Sequence, residues 1–255
     1  MLEIINGTKK FNEGTGSEQT ALNQLNLKVG TGDFLTVIGS NGAGKSSLMN
    51  AISGGFYLDK GKILLDGHNI TYLSEHKRAK VIGRVFQDPS KGTAPNLTLE
   101  ENLALAYSRS QKKPLQIAVS KKDQQVFKNL LAQFDMGLEN RLKDKTGLLS
   151  GGQRQALSLA MCIIASPKLL LLDEHTAALD PSTAEKVSVI TDTLIRQNGL
   201  TAIMITHNLS NAIKYGNRLV MMTAGTISTE ISGEEKQNTR PSALMELYDQ
   251  DPVLY

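Results

Sequence analysis

The chain has 255 residues, 40% hydrophobic and 21% charged, which suits a soluble globular protein with a substantial core, as one large domain or two small ones. Its net charge of +3, from 28 Lys and Arg against 25 Asp and Glu, is too mild to point to nucleic acid. The single cysteine, Cys162, excludes an internal disulfide and suits a reducing compartment, and no apolar run is long enough to span a bilayer, so any membrane role is expected to go through a partner.

The opening stretch MLEIINGTKKF has no long apolar run, so no signal peptide is expected. Leu2 to Ile5 reads as a short strand, and the polar stretch from Asn12 to Thr20 as a hairpin loop. Leu22, Leu25, Leu27 and Val29 mark a half-exposed strand. A Gly30–Asp33 turn leads into a short buried strand carrying Leu35, Val37 and Ile38.

The glycine-rich stretch after that strand fits G-x-x-x-x-G-K-[ST]: Gly39, Ser40, Asn41, Gly42, Ala43, Gly44, Lys45 and Ser46. Such a loop wraps a densely anionic nucleotide phosphate with consecutive backbone N–H groups, and the glycines permit the tight turn. The next helix aims its free N–H groups at the same phosphates. Lys45 adds a full charge for the β- and γ-phosphates. The Ser46 hydroxyl is a Mg²⁺ ligand candidate and Ser47 a neighbouring donor. Leu48, Ala51 and Ile52 lie on one face of that helix, which Gly54 and Gly55 end.

Gly61 to Ile70 reads as two strands about an Asp66–Gly67 turn. Val81 to Phe86 is another strand, broken after Gln87 and Asp88 by Pro89. Thr98 to Glu101 is a capping box for a helix carrying Leu103, Ala104 and Ala106. Residues 109–122, with five basic residues and a proline, read as a solvated connector, with a basic docking patch as the weaker alternative. An amphipathic helix is expected over Val126 to Phe134, and a long helix over Arg154 to Ala165, burying Cys162 as a structural thiol. Leu169 to Leu172 is a buried strand, Ala184 to Gln197 a helix, and Leu200 to Ile205 a strand. Leu219 to Met222 and Thr226 to Ile231 make a hairpin, and Pro241 to Asp249 a last helix.

Strands alternating with helices predict a mainly parallel sheet with helices on both faces, and ligands at the carboxyl ends of its strands. The phosphate loop, Asp173–Glu174 and Thr206–His207 each come directly after a strand, so one fold brings them to one edge. Asp173 is placed to hold the Mg²⁺ that bridges two phosphates, and Glu174 to act as general base on an attacking water. His207 is a candidate γ-phosphate contact. Gln87, a neutral amide, is a candidate contact to Mg²⁺ or to the water. Four histidines and one cysteine make no convincing zinc set.

In the order GSNGAGKS, VFQDP, LSGGQ, LLLLDE, AALD and THN, the chain resembles the nucleotide-binding subunits of ABC transporters over nearly its whole length. The resemblance implies an α/β fold: a P-loop NTPase core with a mainly parallel sheet, an antiparallel β subdomain and an inserted helical subdomain. Residues 1–87 and 166–255 would form the core and residues 88–165 the helical subdomain. It implies that Phe11 stacks on adenine, although the loop to Thr20 is long. It implies that Gln87 couples nucleotide to the membrane partner. Ser150, Gly151, Gly152 and Gln153 resemble the signature that binds the γ-phosphate held by a second copy, Asp180 the aspartate at the dimer interface, and His207 the switch histidine. Two copies would then close head-to-tail over two MgATP.

Where that family commonly has proline after the catalytic glutamate, this chain has His175. A tolerated loop variant is the favoured reading, and a polar contact across the nucleotide interface the sharper one. The expected function is ATP hydrolysis that powers solute uptake through a separate integral-membrane permease. The protein would lie on the cytoplasmic face of the membrane, with an extracellular or periplasmic solute-binding protein as partner. DEHTAALDP with VFQDPSKGTAP is similar to a bacterial amino-acid uptake subgroup. The alternatives are an exporter subunit, a soluble ABC-type ATPase acting on ribosomes or DNA, and a non-hydrolysing nucleotide-gated subunit. Lys45, Asp173, Glu174 and His207 together argue against the last.

Overall fold

The computed structural model describes residues 1–14, 16–109 and 119–249, which fall into two compact units. The first unit, residues 1–79 with 199–249, opens with β1 (Leu2–Phe11), β2 (Gln19–Val29), β3 (Phe34–Gly39), α1 (Lys45–Ser53), β4 (Lys60–Leu65), β5 (His68–Asn69) and α2 (Glu75–Arg78). The chain then builds the second unit, within 80–198, from β6 (Ile82–Val85), α3 (Leu99–Tyr107), α4 (Lys121–Ala132), α5 (Gly151–Ile164), β7 (Leu169–Asp173) and α6 (Pro181–Gln197). It returns to the first unit with β8 (Thr201–Ile205), α7 (Leu209–Lys214), β9 (Arg218–Thr223), β10 (Thr226–Ser232), α8 (Gly233–Asn238) and α9 (Pro241–Asp249).

In the first unit β3 is buried along its whole length and apolar but for Thr36, as a strand covered on both faces must be. It pairs in parallel with β8 and β9, and β10 closes the hairpin beyond β9. Ile38, Leu219, Met221 and Ile231 from these strands pack with Ala212 of α7 and Leu244 of α9. A second, antiparallel sheet has the order β2-β1-β4-β5. β1 runs on past Ile5 to Phe11, further than its apolar alternation predicts. Asn6 takes a positive φ of 50°, and register shifts between Ile4 and Gly7 let the strand continue through polar residues.

α1 is held at its C-terminal end by a buried arginine. Arg78 is 1% exposed and donates to Ala51 O at 2.6 Å, Ile52 O at 3.0 Å, Thr71 O at 2.8 Å and Leu73 O at 2.9 Å. Two of those carbonyls belong to the last turn of α1, where the helix dipole favours a cation. Burial pulls the Arg78 pKa down, yet the surrounding carbonyls give every donor group of the guanidinium a partner.

In the second unit β6 and β7 pair in parallel, with Leu169 to Leu172 fully buried. Asn102, also fully buried, ties the loop before α3 together: its amide accepts from Ala94 N and donates to Ala94 O, Thr98 O and Thr146 Oγ1. Three helices begin earlier than their apolar periodicity predicts. α4 starts at Lys121 behind a Ser120–Asp123 capping box, α5 at Gly151 behind Ser150, and α6 at Pro181 behind Asp180. Each first turn is polar, so the cap sets the start and the hydrophobic stripe appears only later. The expected connector over residues 109–122 therefore ends before Lys121, and its 110–118 part lies outside the described residues. Cys162 is half-buried, and burial pushes its thiol pKa up to about 12, which leaves it a structural thiol.

Replacing Arg78 by Met would strip four carbonyls of their donor while keeping the apolar stem. A loss of about 3 kcal/mol or more is expected from charge-assisted bonds of this kind, read as a lower denaturant midpoint. A change under about 1 kcal/mol would show that the cap contributes little.

Candidate functional site

The phosphate loop lies between β3 and α1. Gly44 caps α1 at a φ of 100°, and a Cβ there would stand 2.5 Å from Ala21 O, so no other residue fits. The loop is fastened from one side by the β9–β10 turn. Gly225 N donates to Ala43 O at 3.0 Å, and Asn23 N donates to Gly225 O at 3.0 Å. Lys45 is 6% exposed and folds back over the loop, its ammonium donating to Gly39 O at 2.7 Å and Ser40 O at 2.8 Å. Asn41, Gly42 and Ser46 are exposed, Ser40 and Ser47 half-buried, and Ala43 buried. No acidic residue stands in the first turn of α1, so its positive end is left for an anion.

His207 belongs to the same edge of this unit. The β3–β8 register pairs Val37 with Ile205, and Thr206 N donates to Val37 O at 3.3 Å. Gly39 and His207 are each two residues further along parallel neighbours. His207 is exposed there. Phe11 ends β1 and is 38% exposed. Its ring meets Phe56 edge-on at 5.4 Å between centroids, with the Lys9 ammonium 5.4 Å from its own centroid.

The carboxylates belong to the second unit. Val85 pairs with Leu172, so Gln87, Asp173 and Glu174 emerge at one edge of the β6–β7 pair. Gln87 is exposed, and Asp173 and Glu174 are half-buried. Glu174 sits in the left-handed region at φ 46°, a conformation that costs a non-glycine residue about 1–3 kcal/mol and collects at functional sites. Its carbonyl accepts from Ala177 N at 2.9 Å, which closes the turn behind it. Asp173 Oδ2 accepts from Arg84 Nη2 at 2.7 Å, a partner with no motif in the sequence to announce it.

The signature residues form a helix cap. Ser150 Oγ accepts from Gln153 N at 3.3 Å, and Gln153 Oε1 accepts from Ser150 N at 3.2 Å. Gln153 also receives Arg141 Nη1 at 3.1 Å and donates to Met136 O at 3.3 Å, so its amide braces the preceding loop. Ser150 and Gly151 are exposed, whereas Gly152 is buried. A Cβ on Gly152 would stand 2.3 Å from Thr183 Cγ2, so this glycine serves the close approach of α5 and α6. Asp180 caps α6 by accepting from Thr183 N at 3.0 Å, and that contact holds its carboxyl below the usual range.

Among the described residues no group of three or more His, Cys, Asp or Glu side chains could hold a metal by itself. One carboxylate with a hydroxyl and an amide is instead the donor set that suits Mg²⁺, which keeps waters and shares phosphate oxygens. Asp173 and Gln87 of the second unit and Ser46 of the first each carry a donor of that kind. No described helix is long and apolar enough to cross a membrane.

His175 does not face outward. It is 3% exposed, with Nε2 3.3 Å from Thr191 Oγ1 on α6. Thr191 spends its own proton on Val187 O at 2.7 Å, so its oxygen accepts and Nε2 carries the hydrogen. The sharper expectation, a contact across the nucleotide interface, gives way to an internal tie between the loop and α6. Burial lowers the His175 pKa from 6.5 to about 4. Between those values the unfolded chain takes a proton that the folded chain refuses, so stability falls as pH drops from 6.5 and levels off below about 4. The loss expected is on the order of 2–4 kcal/mol. His175→Gln should lose less over that window in denaturant titrations, and equal acid slopes in the two proteins would sink the buried neutral imidazole.

Residues 22–177 match the family model for the ABC transporter. The tyrosine transport ATP-binding protein of Clostridioides difficile (strain R20291) is 43% identical over 249 residues, 98% of this chain and 99% of that protein. The spermidine/putrescine import ATP-binding protein PotA of Haemophilus ducreyi is 33% identical over 231 residues, and the matched part covers 57% of its length. Among solved structures, the dimeric ATP-binding cassette MJ0796, in a post-hydrolysis state bound to ADP and Pi, matches with a TM-score of 0.78 and 27% identity, over 91% of this chain and 98% of that one. The α/β fold, with parallel and antiparallel strands, is thus that of a P-loop NTPase cassette. Matched by the family model over more than half its length and by a relative along almost all of it, the chain belongs to the ABC transporter family as an ATP-binding subunit.

Proposed function

We propose that this protein binds ATP with Mg²⁺, hydrolyses it to ADP and phosphate, and so powers uptake of a solute through a separate membrane permease. The observation that carries the chemistry is the loop at the head of α1, where the Lys45 ammonium lies over a helix N-terminus with no acidic residue in its first turn. The full-length similarity to a tyrosine transport ATP-binding protein supports an amino acid, aromatic in character, as the solute.

Residues 1–87 and 166–255 act as the nucleotide-binding core with its β subdomain, and residues 88–165 as the helical subdomain. Gly39, Ser40, Asn41, Gly42, Ala43 and Gly44 cradle the phosphates, Lys45 charges the β- and γ-phosphate oxygens, and Ser47 adds a donor. Phe11 offers its ring to the adenine. Asp173, Ser46 and Gln87 would hold Mg²⁺, which when bound would neutralise phosphate charge. Glu174 takes the proton of the attacking water as its oxygen bonds to the γ-phosphorus and the β-phosphate oxygen leaves. His207 contacts the γ-phosphate.

Two copies close head-to-tail over two ATP molecules. Ser150, Gly151, Gly152 and Gln153 of one copy meet the γ-phosphate of the other, and Asp180 lies at that interface. The exposed Ser150 and Gly151 at the positive end of α5 favour this role. Gln87 couples the nucleotide to the permease at the cytoplasmic face of the membrane. A solute-binding protein outside delivers the solute, and no nucleic acid takes part.

Lys45→Ala should abolish nucleotide binding or hydrolysis in the assembled transporter, and wild-type turnover in that variant would refute the phosphate-loop assignment. Glu174→Gln keeps shape and loses basicity, so hydrolysis should fall by roughly a hundredfold to ten-thousandfold while MgATP still binds. That variant should collect as an ATP-closed dimer in size-exclusion at high protein concentration, and adding Ser150→Arg should reopen it. Retention of wild-type hydrolysis by Glu174→Gln would rule out its role as base.

A further inference from the structure

The carboxylate assigned to the metal already carries a cation of the protein's own. Strand register explains why. Arg84 stands opposite Leu171 in the parallel β6–β7 pair. Side chains alternate along a strand, so Asp173, two residues beyond Leu171, shares the face of Arg84. That step is about 6–7 Å, which an extended arginine spans, and Nη2 ends 2.7 Å from Asp173 Oδ2. Phe86 backs the guanidinium, with Arg84 Cζ 4.9 Å from its ring centroid.

The pair is shielded from water. Its side chains are 14% and 16% exposed, against 43% and 90% for the surface pair of Lys186 and Asp135. Surface pairs are weakened by solvent and salt, and a shielded one keeps its strength. Arginine does not give up its proton in a protein, so it cannot neutralise itself to make room. A divalent ion approaching Asp173 therefore meets a fixed like charge on the same carboxylate.

We propose that Arg84 is a positioning residue of the metal site: it holds the Asp173 carboxylate in the cation's place and competes with the cation for it, so divalent metal binds firmly only together with nucleotide phosphates. This rests on Asp173 being the metal-ligating carboxylate.

The test reads metal binding, not turnover. Mn²⁺ is titrated into the full-length protein with a non-hydrolysable ATP analogue, and free Mn²⁺ is followed by electron paramagnetic resonance. Arg84→Gln removes the charge and keeps a hydrogen-bond donor. It should bind Mn²⁺ about tenfold more tightly than wild type, since the charge-assisted hydrogen bond that competes for the carboxylate is gone and such a bond is worth about a factor of ten or more. Arg84→Lys, which keeps the charge, should stay near wild type. Arg84→Met repeats the test if Arg84→Gln does not fold. Equal or weaker Mn²⁺ binding in the uncharged variants overturns the proposal. Asp173→Asn separates the two levels. If it binds Mn²⁺ with nucleotide as wild type does, the metal assignment itself falls. If it loses Mn²⁺ while Arg84→Gln matches wild type, only the role of Arg84 falls.

Discussion

The phosphate loop depends on a short helix whose two ends are treated in opposite ways. The N-terminal end of α1 is kept free of acids and opens onto a loop with its lysine folded over it. The C-terminal end is closed by Arg78, whose guanidinium answers the last carbonyls from a buried position. A helix of nine residues is too short to be stable alone, so its alignment comes from what is fastened to it. The β9–β10 turn at Gly225 and the strand residue Asn23 extend that fastening to the loop itself.

The same economy governs the charged groups. Several ion pairs lie at the surface, such as Arg196 with Asp192 and Lys186 with Asp135, where each is worth little. The shielded pairs stand where backbone must be aimed. Arg218 is shielded where it meets Asp33 and reaches the more exposed Glu230 on its other side, and Asp33 also accepts from Gly30 N at the turn into β3. Burial works to raise the Asp33 pKa, but Gly30, Arg218 and Asn217 outweigh it and leave the carboxyl lowered.

Motif residues were legible in the sequence because their chemistry is local. Gly44 and Lys45 open the helix that follows one strand, and Asp173 and Glu174 stand at the end of another, both strands marked by hydrophobic runs. The caps of α5 and α6 were harder to see. Ser150 and Asp180 begin helices whose first turns have no apolar stripe, so periodicity placed the starts three residues late. Arg78 and Arg84 had no signal at all. Their partners are carbonyls and a carboxylate brought near by the fold, and one arginine in a helix or strand reads as surface. The sharper reading of His175 failed for a related reason: an imidazole in a polar loop looks outward until burial against Thr191 is known.

Gly152 has a mechanical meaning beyond its place in a signature. Because no side chain separates it from Thr183, the opening turn of α5 rests directly on the opening turn of α6. Ser150 caps the first of these turns and Asp180 the second, by way of the Thr183 backbone itself. The two caps therefore meet at one contact between a glycine and a threonine, so any shift of the serine relative to the aspartate must open or close that contact.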